Sequence, residues 1–431
     1  MPLLPATSVD FFLAALESFM RRTGQGTHWG VTRLQLKGRP DEQSLSRTWA
    51  QIHSQHPMLQ ARLMRQWRGW RWAWEVRGPA SPAPGILWHP AQPQPPDMQL
   101  IQQRLQGRTE TGELSTPLFM EVFPSGDHDD HTILLTWRHA LLDGTGVSLL
   151  LEKLAAGPGG MPPPSPPPAP GRESIATLYK KARPLINRLH AMTSAGCLSA
   201  WTAGMRQNGI PCYRLIALSP EESEKAAARL RTLCGDLMQM PFYAAVAARA
   251  LSLLHSLRRW RSPEIHLQLP IQLRGRNREL IFGNHMGTLP LFLESSSLTT
   301  LDQSVAHLLQ CYREAIKTKV PQSSEALMTL AAHMPPGAFI PAVRISNRGQ
   351  ICSLFHSHTG TFLPGREDFA GASLHDVYTI PSVCAPPGFG VFVSDYAGRI
   401  TVTMAWRDGC LAPQEVDALD QSIRSDLCGT R

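Results

Sequence analysis

Hydrophobic residues in this 431-residue chain fall in turn into helical and strand-like spacings. From Ser8 to Met20, Phe11, Phe12, Ala15, Leu16 and Phe19 share one helical face, with Ser8 as the expected N-cap. Val31 to Leu36 alternates as a strand. Glu42 to His56 reads as a second helix, stopped by Pro57. The Trp-rich stretch Trp67 to Val76 predicts a strand whose tryptophans anchor a core. Thr132 to Trp137, β-branched and aromatic, predicts a buried strand, and Val147 to Leu154 an apolar helix segment.

Between 156 and 172 the pattern stops. Gly-Pro-Gly-Gly is followed by Pro-Pro-Pro-Ser-Pro-Pro-Pro, which suits an extended connector and neither helix nor interior strand. Three parts follow from this: a first lobe over 1–155, a linker over 156–172 and a second lobe over 173–431. In the second lobe, helices are expected at Glu173 to Leu189, Pro220 to Leu233, Phe242 to Leu254 and Pro413 to Leu427. Strands are expected at Tyr213 to Leu218, Ile265 to Arg274 and Ala342 to Ile345. A closing hairpin joins Val391 to Asp395 with Arg399 to Trp406 through Ala397 and Gly398.

Composition narrows the classes. The chain is 42% hydrophobic and 18% charged, an ordinary globular balance. No apolar run approaches the ~20 residues that span a bilayer. Met1 to Arg22 carries its arginines after the apolar stretch, the reverse of a secretory signal, so a cytoplasmic location is expected. Eight cysteines lie far apart in the second half with no C-x-x-C pair, which reads as reduced thiols. Asp127, His128, Asp129, Asp130 and His131 read as a polar turn before a strand, because five adjacent residues cannot converge on one ion; no metal is expected.

A net charge of +8 favours anionic partners, among which phosphates of coenzyme A, an acidic carrier protein and a membrane surface are open. The densest basic region, Arg258 to Arg278, has one interleaved aromatic, Trp260, so it reads as a solvated surface and nucleic acid is not expected.

The candidate chemistry lies in Trp137-Arg138-His139-Ala140-Leu141-Leu142-Asp143-Gly144-Thr145-Gly146, at a strand-to-helix junction. Such a turn lifts an imidazole out of a sheet. Gly144 and Gly146 allow close backbone approach to a ligand and leave helix N–H groups free. No G-x-S-x-G elbow, P-loop, H-E-x-x-H helix or strand-linked G-x-G-x-x-G competes with it.

This run resembles the H-H-x-x-x-D-G signature of the condensation-domain and chloramphenicol acetyltransferase-like superfamily, with Arg138 at the first histidine position. Landmarks in the same order extend the resemblance over nearly the whole chain: His56-Pro57-Met58-Leu59, a strand ending Pro270 to Arg274, Gly283-Asn284, and Ser346-Asn347-Arg348-Gly349. Gly388-Phe389-Gly390 is a remnant of a longer element in plant-type members.

The resemblance implies an α/β fold of two lobes, each a mixed sheet packed with helices, with the active site in the cleft between them. It implies a monomer that moves an acyl group from a coenzyme A or carrier-protein thioester to a small-molecule hydroxyl or amine, with no bound cofactor. His139 would be the general base, and Asp143, paired with Arg274 through a bidentate contact, would fix the loop together with Gly144. Arg138, His285, Ser346 and Asn347 are candidates for the cleft wall. The alternative is a catalytically silent relative that binds a carrier protein or small molecule, and Arg138 in place of the first histidine favours it.

Overall fold

The computed structural model describes residues 3–65, 72–76, 84–91, 95–110, 112–125, 129–159, 173–193, 197–202, 205, 209–236, 238–275 and 277–429. Most of the expected Pro-rich linker and part of the 127–131 turn therefore lie outside the described residues.

Two six-stranded sheets carry the architecture. In the first, Asp368–Phe369, Ala372–Pro381, Trp29–Lys37, Asp130–Arg138, Leu118–Pro124 and Leu87–Trp88 lie side by side, antiparallel except for the last pair. In the second, the order is Pro211–Ala217, Arg399–Arg407, Phe389–Tyr396, Leu354–Thr361, Glu264–Gln272 and Met286–Glu294. Leu354–Thr361 is parallel to both of its neighbours, and the other pairings are antiparallel. The sheets do not follow the sequence division at 156–172. Ala372–Pro381 crosses back from the second half and pairs with Trp29–Lys37 from Gly30 to Lys37.

Each sheet packs helices over a large core, and the first buries a smaller cluster on its other face through Val31, Leu134 and Ile380. The first packs Glu42–Gln55 and Gly144–Ala156 through Leu45, Trp49, Val147 and Leu150. The second packs Gln239–Leu257, whose alanine-rich face lets the helix lie close to the sheet, with Leu301–Lys317 and Pro413–Cys428 outside it. The closing hairpin lies inside the second sheet, with both faces of Arg399–Arg407 buried. Another cluster joins Ser8–Arg22 to Pro336–Ser346, with Phe11 and Phe19 against Phe339 and Ile340.

The helix expected from Ser8 to Met20 forms as Ser8–Arg22, but Thr7 caps it: the Thr7 hydroxyl accepts from Asp10 N–H, and the Asp10 carboxylate accepts from Thr7 N–H. Ala342 to Ile345, expected as a strand, lies instead in the helix Pro336–Ser346. Pro341 inside it removes an N–H that would have reached the Gly337 carbonyl. Arg22 takes that carbonyl instead, donating from Nη2 at 2.6 Å. Packing of Phe339 and Ile340 outweighs the local preference for a strand.

Candidate active site

His139 follows directly on Asp130–Arg138, whose register against Trp29–Lys37 places Arg138 opposite Trp29. The pairing continues one step, with His139 N–H donating to the His28 carbonyl at 2.9 Å. The chain then turns and enters Gly144–Ala156. Asp143 is the helix N-cap, its Oδ1 accepting from Gly146 N–H at 2.8 Å. That Oδ1 also accepts from Arg274 Nη2 at 3.1 Å, and Oδ2 accepts from His285 N–H at 2.9 Å.

The expected pair between Asp143 and Arg274 is therefore present, buried on both sides, but through one guanidinium nitrogen rather than two. The rest of the guanidinium donates to the Leu280 carbonyl and to Gln272 Oε1. Of the helix N–H groups expected to be free, Asp143 takes that of Gly146.

Two residues outside the motif hold the turn from behind. Asn284 Nδ2 donates to the carbonyls of His139 and Ala140, at 3.2 and 3.1 Å, and to Asp10 Oδ1. Asp10 is 1% exposed and its carboxylate also accepts from Asn284 N–H and Trp74 Nε1. Burial raises its pKa, and these donors oppose the rise. The Gly283-Asn284 landmark was visible in the sequence, but the role of Asn284 was not. Nothing local in the sequence marks Asp10 for this role.

The His139 ring packs on His28 with centroids 4.7 Å apart, and meets Trp137 edge-on at 5.3 Å. Burial pushes the imidazole below its ordinary 6.5; its own carbonyl, the Asp143 charge and Asn284 oppose this. His139 thus favours the neutral form that a base requires. His28 is lowered further, by burial first, then by His139 and Arg407, and its Nε2 lies 3.2 Å from the Ser382 carbonyl. His28 belongs to no motif; its only signal in the sequence is a place one residue before the strand that pairs with the motif strand.

Both histidines line a cavity of about 280 Å³ walled by both lobes. Gly144 lines it as well. A Cβ there would sit 2.6 Å from Thr359 Cγ2, so this glycine admits a strand of the second lobe. At Gly146 a Cβ would lie 2.5 Å from the Ile281 carbonyl oxygen.

The other candidates separate. Asn347 lines the cavity. Ser346 is exposed and its hydroxyl donates to the Ala342 carbonyl on its own helix, because the turn it was assigned to is a helix end. His285 holds Asp143 by its backbone and points its Nε2 at the Phe282 carbonyl, so it braces the motif and does not form cavity wall. Arg138 also lies off the wall, where it clamps Glu17 with two nitrogens at 2.8 and 2.7 Å and ties the strand to Ser8–Arg22.

The expected basic surface is partly internal: Arg258 holds Glu415 and Arg274 holds Asp143, whereas Arg278 stays exposed and pairs with Glu152. Among the described residues, no three His, Cys, Asp or Glu side chains converge as metal ligands. All eight cysteines are free.

The sequence matches no protein-family model and no curated protein. Solved structures do match. A trichothecene 15-O-acetyltransferase from Fusarium sporotrichioides is similar at 14% identity, with 99% of this chain and 95% of that chain covered and a TM-score of 0.73. The first condensation domain of the calcium-dependent antibiotic synthetase is similar at 16% identity, over 99% and 96% of the two chains, with a TM-score of 0.68. Polyketide synthase associated protein 5 from Mycobacterium tuberculosis is similar at 17% identity, over 99% and 100%, with a TM-score of 0.63. With its two sheets, the helices packed on them and a shared cavity between them, the chain has the two-lobed α/β fold of the condensation-domain and chloramphenicol acetyltransferase-like proteins.

Proposed function

We propose that the protein is an acyltransferase that moves an acyl group from a thioester, of coenzyme A or of a carrier protein, to a hydroxyl or amine acceptor. The observation that carries this reading is a buried imidazole, shifted toward its neutral form, on the wall of a cavity between two lobes. His139 takes the proton from the acceptor as its oxygen or nitrogen attacks the thioester carbonyl. The tetrahedral intermediate collapses with cleavage of the C–S bond, and His139 returns the proton to the leaving thiolate. The Thr359 hydroxyl, on the same wall and without a protein partner, is a neutral donor for the developing oxyanion. Asp143 acts through the loop and not as a second base.

The silent-relative reading drew its support from Arg138, and the Arg138–Glu17 clamp accounts for that residue structurally. The test is thiol release from acyl-coenzyme A and acyl-pantetheine thioesters with mixed alcohols and amines. Acceptor-dependent release should fall by ~10²–10⁴ in His139→Ala. Equal release by both proteins refutes His139 as the base.

A further inference from the structure

The cavity beside His139 carries no charge: among the described residues, no Lys, Arg, Asp or Glu lines it. Three helices far apart in sequence give it an apolar side, with Leu13 and Leu16 from Ser8–Arg22, Leu185 and Leu189 from Ile175–Thr193, and Phe339 and Val343 from Pro336–Ser346. The polar side chains that reach it from the strands, such as Gln268 and Thr288, are neutral. Nearby charges are engaged elsewhere: Glu17, next to Leu16 in the chain, holds Arg138 and Arg21. A charged group placed here would lose its hydration and meet no counter-charge.

We propose that this cavity is the acyl-chain site, and that the donor carries an uncharged, mainly aliphatic acyl group of medium length rather than an aminoacyl or other charged one. The proposal rests on the acyl-transfer reading. The phosphates of a donor meet no counter-charge on such walls, and the apolar side formed by the three helices fits the acyl end. Taking a methylene as roughly water-sized, at ~30 Å³, the cavity of 280 Å³ holds about nine such groups. That is room for a chain well beyond acetyl.

The test is calorimetric binding of acyl-pantetheine thioesters to His139→Ala, with no acceptor present. Affinity should rise about fourfold per methylene from acetyl to hexanoyl, on the order of a hundredfold over the series. Heptanoyl should bind on the order of a hundredfold tighter than 6-aminohexanoyl, which has the same number of heavy atoms but ends in an ammonium. Leu189→Trp, which narrows the apolar side, should erase the advantage of hexanoyl over acetyl. A flat chain-length series, or 6-aminohexanoyl binding as tightly as heptanoyl, overturns the proposal even if the wild type turns over. Conversely, a steep series with no thiol release by the wild type from any donor and acceptor overturns the general-base reading and leaves the acyl site standing.

Discussion

Asp143→Ala tests whether the two lobes are joined at the motif itself. The Asp143 carboxylate is 1% exposed and accepts from three donors: Gly146 N–H, Arg274 Nη2 and His285 N–H. Losing the helix cap costs ~1 kcal/mol. Stranding the guanidinium of Arg274, whose side chain is 2% exposed, costs ~3–5 kcal/mol. The buried His285 N–H, left without an acceptor, adds ~1–3 kcal/mol. These losses overlap, because Arg274 keeps Leu280 and Gln272 as acceptors, so the expected total is on the order of 5 kcal/mol. Against a typical stability of ~5–15 kcal/mol this brings the protein close to unfolding. The controlled form is a cycle of Asp143→Asn, Arg274→Met and the double variant, followed by urea unfolding at neutral pH. The double variant should be more stable than the sum of the single losses predicts, by ~2 kcal/mol. Additivity within ~0.5 kcal/mol refutes the pair as an energetic link between the lobes.

Three further outcomes are expected. Gly144→Ala should impair folding and thiol release through the contact with Thr359 Cγ2, and adding Thr359→Ser, which removes that methyl and keeps the hydroxyl, should restore both; an unrescued double variant refutes the contact as the cause. The acid limb of kcat/KM should have its midpoint below 6.5, because burial lowers the His139 pKa and the neutral base persists to lower pH; a midpoint at or above 6.5 refutes this. Stability should fall between pH 6.5 and 4, because burial lowers His53, His56, His255, His266 and His356 to about 4, so the unfolded chain takes up protons first. At pH 5.5 each contributes a loss of ~1.4 kcal/mol, which urea midpoints at pH 7.5 and 5.5 should register; equal midpoints refute it.

What could be read from the sequence was local. Asp130–Arg138, the turn and Gly144–Ala156 follow from β-branched residues, a capping Asp and an apolar run within a few positions of one another. The Arg274 partner, 131 residues from Asp143, came from resemblance, since no spacing marks it. Nothing in the sequence couples Asp10 to Asn284 across 274 residues, or sets His28 against the His139 ring. Ala342 to Ile345, expected as a strand, is helical despite Pro341 just before it, and the compensating Arg22 bond to Gly337 belongs to a different element, out of reach of local sequence.

The same distinction bears on how His139 is held. The His139 backbone is fixed from the first lobe by the His28 carbonyl and from the second by Asn284, while Asp143 is fixed by Arg274 and His285. Each tie joins a residue in the motif to one at least a hundred positions away. The imidazole therefore takes its place on the cavity wall only when both lobes are folded and apposed, and a substitution at Asp10 or Asn284, neither of them on that wall, should disturb the chemistry through the loop it braces.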